Sequence, residues 1–500
     1  MELSIQRSIG AGRGEVGPVY RQIAEQIRAR VQEGTLREGD RLPPIRDLAR
    51  QLRVNRDTVS LAYESLAAEG LLESQVGRGT FVRGLRPRTA REDSGGEVRL
   101  SSAAERLLDY ERSRPHYPAD GQGIPLHAVV PDPALFPVDA FRRAVNRVLT
   151  DRGASLLGYG GPQGHAGMRQ VLAERFGLGG VRVGADSIVL CQGASQGIAL
   201  ALRLFAESGD SVAIEEPTYQ NALGTLVGLG LRAVPVPMRR DGPDLAALDR
   251  VLARPEVKVF YTIPTFHNPM GISTSLAHRQ ALLEIASRHG KPVIEDAYEM
   301  DLRFAGRSVL PLAALDESGR VVLLTSFSKS LFPGVRCGAV VARGRLVDAL
   351  LVLRHASDLG GALPLQAALA DFIRNGAYDR HLATLRRVLR RRRDALLKAL
   401  SAEMPEGATW TTPEGGYQVW VELPEPVDTR DLFNEALRAG VKFAPGYQFQ
   451  HDGRASRALR LSIGVADEAA LRDGVVRLGR ILRERRAAGR EGPHEAAVHM

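Results

Sequence analysis

Lys329 lies in TSFSKSLFPGVR, where an apolar strand gives way to a loop and a lysine amine can condense with an aldehyde. Ser326, Ser328 and Arg336 in the same stretch supply the hydroxyl and guanidinium donors that a phosphate dianion needs. Upstream, Asp296 closes the strand VIED and can pair with a protonated pyridine nitrogen, which keeps an aromatic cofactor ring electron-withdrawing. Asn268 in TFHNPMG and Tyr298 in EDAYE suit hydrogen bonds to a ring hydroxyl, and Tyr219 in EEPTYQ can stack on a ring face. Gly193, Ala194 and Ser195 open a helix after the strand SIVLCQ, where bare N–H groups and the helix dipole cradle phosphate. Aldehyde, phosphate and pyridine together describe pyridoxal 5'-phosphate. Taken singly, each residue has an ordinary reading as a loop polar group, a helix cap or a packing tyrosine. Their joint occurrence points to one site.

The elements that must position these groups are legible as a pattern. Short β-branched runs (DSIVL, SVAIE, KVFYTIP, KPVIEDAY, VVLLTSF) alternate with longer helical stretches such as Gln196–Ala206 and Ala277–His289. That alternation predicts an α/β fold, a mainly parallel sheet with helices on both faces and functional residues at strand ends. A chain of 500 residues, 44% hydrophobic, exceeds what one core holds, so at least two domains are expected. The formal charge of +9 favours a polyanionic partner, although an arginine-rich composition alone reaches that balance. Cys191 and Cys337 lack metal-ligand spacing and form no disulfide framework, which predicts no metal site and a reducing, cytoplasmic setting. The opening MELSIQRSIG has no apolar core of signal length, and no run of about 18 apolar residues occurs, so neither export nor membrane insertion is expected.

Ahead of the alternating region lies a different pattern. Val19, Ile23, Ile27 and Val31 recur every fourth position, predicting a helix that ends near Gly34. Pro43 and Pro44 introduce a short second helix with Ile45, Leu48, Ala49 and Leu52 inward, and Asn55 can cap a third with Val59, Ala62, Tyr63 and Leu66 inward. Arg56, Asp57, Thr58 and Ser60 then lie at the exposed N-terminal end of the third helix, the part a helix-turn-helix inserts into the major groove. LLESQVGRGTFV predicts two short strands around Gly77, Arg78 and Gly79, a basic tip able to reach the minor groove or phosphates. The plainer reading of this segment is a small helical bundle with a solvated basic face.

The run from PVYRQIAEQIRARVQEG to VGRGTFV closely resembles the DNA-binding domain of GntR-family transcription regulators, a winged helix-turn-helix, over Gly17 to Arg83. That resemblance implies double-stranded operator DNA as a partner and Arg46, Arg56, Thr58, Arg78 and Gly79 as contacts, with Leu42, Leu48, Tyr63 and Leu66 structural. Asn55 stands where the family usually has serine. The ordered segments GYGGPQG, QGASQG, EEPTY, TFHNPMG, IEDAY and SFSKSLFPGVRCG resemble fold-type I aminotransferases over Pro125 to Arg483. By this resemblance Lys329 forms the internal aldimine, Asp296 is the pyridinium partner, Ser326 and Arg336 are phosphate ligands, and Tyr159 is a phosphate ligand from the neighbouring subunit of a homodimer. Arg460 in ALRLSIG, otherwise an ordinary strand-flanking arginine, occupies the position where this enzyme group holds an arginine for the substrate carboxylate, a bidentate task that a lysine would do less well, which implies a ligand with an amine and a carboxylate. The joined halves resemble the MocR subfamily, in which an aminotransferase-like domain senses an effector.

The expected organisation is therefore a winged helix at 17–84, a flexible linker at 85–124 with one helical turn around Ala103 to Leu108, an aminotransferase-like domain at 125–484 with a smaller C-terminal α+β part, and a disordered tail at 485–500. The leading expectation is a regulator that senses an amino acid or amine through an external aldimine formed at the expense of Lys329. The alternative is an aminotransferase acting on an α-amino acid with Lys329, Asp296 and Tyr298 catalytic; a DNA-binding scaffold with an inert second domain is a third reading. Asn221 stands where regulators of this group that read longer amino acids use a further arginine, and KFAPGYQF resembles the lid-like loop of α-amino acid aminotransferases. The arginine run Arg390–Arg393, with Arg386 and Arg387 before it, reads as a solvated helix face or a surface for DNA.

Overall fold

A computed structural model of the chain describes residues 19–32, 35–68, 70–75, 79–83, 99–118, 123–424 and 427–490, in two compact units divided after Arg99. In the first unit, helix α1 (Val19–Gln32) buries Ile23, Ile27 and Val31, as their spacing dictates. Helices α2 (Ile45–Leu52) and α3 (Arg56–Ala68) close the same core with Leu48, Ala49, Val59, Ala62 and Leu66. The Tyr63 hydroxyl donates to the Pro43 carbonyl at 2.9 Å, tying α3 to the start of α2. Asn55 Oδ1 accepts the Asp57 amide at 3.3 Å, the cap its side chain was chosen for. Strands β1 (Leu72–Gln75) and β2 (Gly79–Val82) pair antiparallel, with buried Leu72 opposite buried Val82.

The second unit opens with helix α4 (Ser102–Arg112), strand β3 (Ile124–Pro125) and helices α5 (Val138–Leu156) and α6 (Ala166–Leu178). Its centre is an eight-stranded sheet: β4 (Ile188–Cys191), β5 (Ser211–Glu216), β6 (Arg232–Arg239), β7 (Gly242–Pro243), β8 (Val257–Thr262), β9 (Val293–Asp296), β10 (Val321–Ser326) and β11 (Gly338–Val341). The spatial order is β4-β11-β10-β9-β8-β5-β6-β7. Strands β10, β9, β8, β5 and β6 run parallel, while β11 is antiparallel to both its neighbours and β7 to β6. Both faces are covered, which is why the strands read as continuous apolar runs. Val321 and Leu323 enter one core with α6, and Val322 and Leu324 enter the other with α7 (Ala194–Phe205) and α8 (Gln220–Leu229). A four-stranded antiparallel sheet (Thr409–Trp410, Gln418–Glu422, Ala458–Ser462, Ala444–Pro445) with helices Thr429–Arg438 and Glu468–Arg490 forms the smaller C-terminal part. No helix among the described residues is long and apolar enough to cross a membrane.

Three stretches differ from the sequence expectation. Where one helical turn around Ala103 to Leu108 is expected in the linker, α4 is longer, Ser102–Arg112, and packs on α8. Gly224 and Gly228 leave a groove on α8, where an added Cβ would come within 3.0 Å of the Tyr110 ring and 3.3 Å of Leu107 respectively. The Tyr110 hydroxyl locks the pair by donating to the Gln220 carbonyl at 2.5 Å. Order also persists beyond residue 484: the last helix runs to Arg490, and Arg485 makes two 2.8 Å bonds to Glu435, while residues 491–500 lie outside the described set. The arginine run is partly internal rather than a solvated face. Buried Arg392 donates to the Gly464 carbonyl at 2.6 Å and to Asp132 at 2.7 Å, Arg386 to the Asp301 carbonyl at 2.7 Å, and Arg393 to the Pro413 carbonyl at 2.9 Å.

Candidate functional site

The C-terminal ends of β9 and β10 deliver the charged groups into one cavity of about 360 Å³. Asp296, the last residue of β9, is fully buried, and its Oδ2 accepts the Tyr261 hydroxyl at 2.8 Å. Among the described residues no group meets Oδ1 with normal hydrogen-bond geometry. Burial raises the Asp296 pKa from 3.8 to about 7, against the lowering effect of Tyr261 and the Tyr298 amide. A buried carboxylate oxygen left without a partner is costly unless a donor or cation is brought to it. The site therefore asks for a cationic N–H at Oδ1, which a protonated pyridine supplies.

Lys329 follows β10, and its ammonium donates to the Val129 carbonyl at 2.6 Å. The Tyr417 hydroxyl donates 2.5 Å to the Lys329 carbonyl and fixes the backbone. Burial lowers the Lys329 pKa from 10.5 to about 8; Arg460 and Arg336 push the same way, and Glu299 opposes them. Glu299 is itself wholly buried, and burial pushes its carboxyl up to about 8, with Lys329 the largest influence in the other direction. Gln418 bridges this acid to the cavity, donating to the Tyr298 hydroxyl at 2.6 Å and to Glu299 Oε1 at 3.4 Å. With its acceptor role used by Gln418, the Tyr298 hydroxyl is left as a donor.

The phosphate-sized end is built at the start of α7. Gly193 adopts φ +87°, and an added Cβ would lie 3.2 Å from the Arg336 guanidinium nitrogens, so backbone and guanidinium approach as only glycine permits. Arg336 is anchored by a 2.6 Å bond to the Gln192 carbonyl, and the buried Ser328 hydroxyl has no partner among the described residues. At the other end Arg460, 4% exposed, donates to Asn268 Oδ1 at 2.8 Å and to the His127 carbonyl at 2.9 Å, while its Nε has no partner among the described residues. Because Arg460 occupies the amide oxygen, the Asn268 NH₂ is the group left to donate into the cavity. His127 stacks on Tyr117 at 4.0 Å, and burial with Arg460 lowers its pKa to about 4, so this wall of the cavity is neutral imidazole.

Ala194, Ser195, Tyr219, Asn268, Asp296, Tyr298, Ser326, Ser328, Lys329, Arg336 and Arg460 all line the one cavity, with Gly193 at its edge. The orphaned Asp296 oxygen and the Gly193 cradle fit pyridoxal phosphate: a cation binder and an anion binder stand at separate places in a cavity that also holds an amine. Tyr159 is not part of the lining, and it is 91% exposed. The sequence reading missed Tyr261, Glu299, Gln418, His127 and Arg114; of these the acid beside Tyr298 in EDAYE carried the one available signal. Both cysteines are 1% exposed, and burial raises their thiols to about 12. In the first unit Arg56 is exposed at the start of α3, Thr58 is half-buried, and Arg46 is exposed on α2 within 3.8 Å of Asp47. Gly79 opens β2 with the Arg41 guanidinium beside it, and Arg78 lies outside the described residues.

Residues 130–478 match the aminotransferase class I and II family, and residues 19–82 match the bacterial regulatory proteins of the gntR family. A probable rhizopine catabolism regulatory protein, MocR, of Rhizobium meliloti is 32% identical over 92% of this chain and 92% of its own length. Aromatic-amino-acid aminotransferase 1 of Thermococcus litoralis is 34% identical over 72% of this chain and 88% of its own. The crystal structure of the α-aminoadipate aminotransferase LysN from Thermus thermophilus, complexed with N-(5'-phosphopyridoxyl)-L-leucine, is similar to 78% of this chain and 98% of its own, with 31% identity and a TM-score of 0.71.

Proposed function

The chain belongs to the GntR-family regulators of the MocR subfamily, a winged helix-turn-helix joined to a fold-type I aminotransferase-like domain, and from that premise we propose that it is a pyridoxal phosphate-dependent transcription regulator that senses an amino acid. When bound, the cofactor supplies an aldehyde carbon that exchanges amines and a ring that withdraws electrons. Asp296 would hold the ring nitrogen, Tyr298 and Asn268 the ring hydroxyl, and Tyr219 a ring face. Gly193, Ala194, Ser195, Ser326, Ser328 and Arg336 would hold the phosphate, with Tyr159 reaching across from a second subunit of a homodimer. The exposure of Tyr159 suits that role, since an aromatic side chain that open to solvent in one chain gains from burial against another.

Lys329 would carry the cofactor until an effector amine takes its place, with Arg460 gripping the effector carboxylate. The released lysine is then free to change its contacts, beginning with the Val129 carbonyl. Regulation requires that the effector bind more tightly in one arrangement of the dimer than in another, so that two winged helices meet their half-sites differently. Arg46, Arg56, Thr58, Arg78 and Gly79 are the proposed operator contacts, residues 17–84, 85–124 and 125–484 the functional divisions, and the cytoplasm the setting. The observation that carries this reading is the Asp296 oxygen, without a hydrogen-bond partner among the described residues, in the same cavity as Lys329 and Arg460, in a chain that also holds a winged helix.

The test is the visible spectrum of the cofactor-loaded protein and its affinity for operator DNA, followed together while amino acids are added. One amino acid that shifts both supports the sensor, and Lys329→Ala then retains operator binding without the response. The aminotransferase reading is favoured by the low pKa of Lys329, which suits a proton carrier at neutral pH. Sustained turnover at about 1 per second or more, with operator affinity unmoved, would establish it instead.

A further inference from the structure

Four cations line the cavity: Lys329, Arg336, Arg460 and Arg114. The reading above uses the first three, for the amine exchange, the phosphate and the α-carboxylate. The one carboxylate in the lining, Asp296, is committed to the ring nitrogen. Arg114 is therefore a cation that this reading does not use, and among the described residues its one ion pair is with Glu111 at 2.8 Å. That pair is three residues apart, its acid is 61% exposed and its arginine 28%, so water screens it and it is worth at most about 1 kcal/mol. It can open for a better-placed anion at little cost.

The cavity has room on that side. Arg114 also lines an adjoining cavity with Arg430, Tyr447 and His451, where the Arg430 guanidinium lies 4.1 Å over the Tyr447 ring. Asn221, also in the lining, supplies no charge, and its amide is spent on the Tyr219 hydroxyl at 3.0 Å. Positive charge for the far end of a ligand thus comes from the segment after α4. We propose, resting on the sensor reading, that Arg114 is the distal recognition group of this cavity and that the effector is a dicarboxylic amino acid, its α-carboxylate on Arg460 and its second carboxylate on Arg114.

The position of Arg114 gives this contact a second consequence. It stands just beyond α4, the helix through which the chain passes from its N-terminal unit into the second, and α4 is clamped to α8 through Tyr110 and Gln220. Gln220 also lines the cavity. A distal carboxylate would pull on this connecting segment, whereas an uncharged side chain would not, so it offers the differential contact that coupling requires.

The experiment is calorimetric titration of the cofactor-loaded full chain with L-glutamate, L-2-aminoadipate and the uncharged L-norleucine, with operator affinity measured on the same samples. The wild type should prefer a dicarboxylic amino acid. Arg114→Gln should weaken that ligand by about 10- to 100-fold, the range for losing one charge-assisted pair, while changing norleucine by less than about 3-fold. Arg114→Lys should restore part of the difference, and Glu111→Gln should leave or improve it. Equal weakening of charged and uncharged ligands by Arg114→Gln would show that the residue only supports the wall, and would overturn the proposal. A wild type that binds norleucine as tightly as both diacids would overturn it too, while leaving the sensor reading intact. Absence of any response to any amino acid, with the cofactor absorbance in place, would sink both together.

Discussion

Asp296→Asn in the cofactor-free protein separates the buried-carboxylate argument from any assay of activity. The folded-state pKa of Asp296 is raised from 3.8 to about 7 by burial. Between those values the folded protein keeps a proton that the unfolded chain has already released, so stability falls as pH rises and levels off above about 7. At about 1.4 kcal/mol per pH unit, the interval from pH 5 to pH 7 removes about 3 kcal/mol from the wild type. Asparagine does not ionise, so the variant lacks this slope. It still accepts from Tyr261, and its amide N–H at the place of Oδ1 costs about 1–3 kcal/mol at either pH. The variant should therefore be the less stable protein at pH 5 and equal to or above the wild type at pH 8.

The quantity to read is the change in that difference between the two pH values, about 3 kcal/mol, or about 3–4 °C in Tm for a unit of this size. Both tryptophans of the chain, Trp410 and Trp420, belong to the second unit, so tryptophan fluorescence follows its melting alone. Pyridoxal phosphate should stabilise the wild type at pH 8 more than the variant, because only the ionised carboxylate gains a cation, while the Lys329 and phosphate contacts are common to both. A variant-minus-wild-type Tm that is the same at pH 5 and pH 8 to within about 1 °C would refute the reasoning, since it would mean that the Asp296 carboxylate is solvated.

Cofactor uptake should speed up with pH and level off above about 8, because the neutral Lys329 amine is the reacting form; a plateau reached only near the ordinary lysine value of 10.5 would contradict the buried, Arg-flanked amine. Gly193→Ala should weaken cofactor binding by about 10-fold or more, as the new methyl meets Arg336 at 3.2 Å in a left-handed backbone, and absorbance titration at several cofactor concentrations measures it. Arg56→Ala should weaken operator binding with the cofactor spectrum unchanged, by about 1–3 kcal/mol if the residue reads a base and with a shallower salt dependence if it meets a phosphate. Loss of both functions together would contradict the assignment of reading and sensing to separate units.

Much of the cavity was legible in the sequence because its residues sit where two periodicities break. Asp296 ends β9 and Lys329 follows β10, strands whose alternate residues feed two cores, so the polar residue at the end of an apolar run marks the edge of the sheet. The α1 stripe was legible for the same reason at helical spacing. What escaped depends on partners distant in the chain. Of helix α4 one turn was legible, but not its full length or its packing, since its seat is made by two glycines on α8 more than a hundred residues later. The arginine run resembles a solvated surface until Gly464 and Asp132 are seen to receive Arg392. Glu299 and Gln418 meet only because the smaller sheet folds against the end of β9, a tertiary contact that no local pattern announces.

The two cysteines open a practical route to the coupling itself. Because both thiols are enclosed and hard to ionise, they should be slow to react with maleimides while the fold is intact. Cysteines placed at exposed positions such as Glu64 on α3 and Ser287 on the helix Leu276–Arg288 would then take fluorophores with no native site to remove first. A donor and acceptor so placed would report, in unmodified buffer and in real time, whether the first unit moves relative to the second when an amino acid is added.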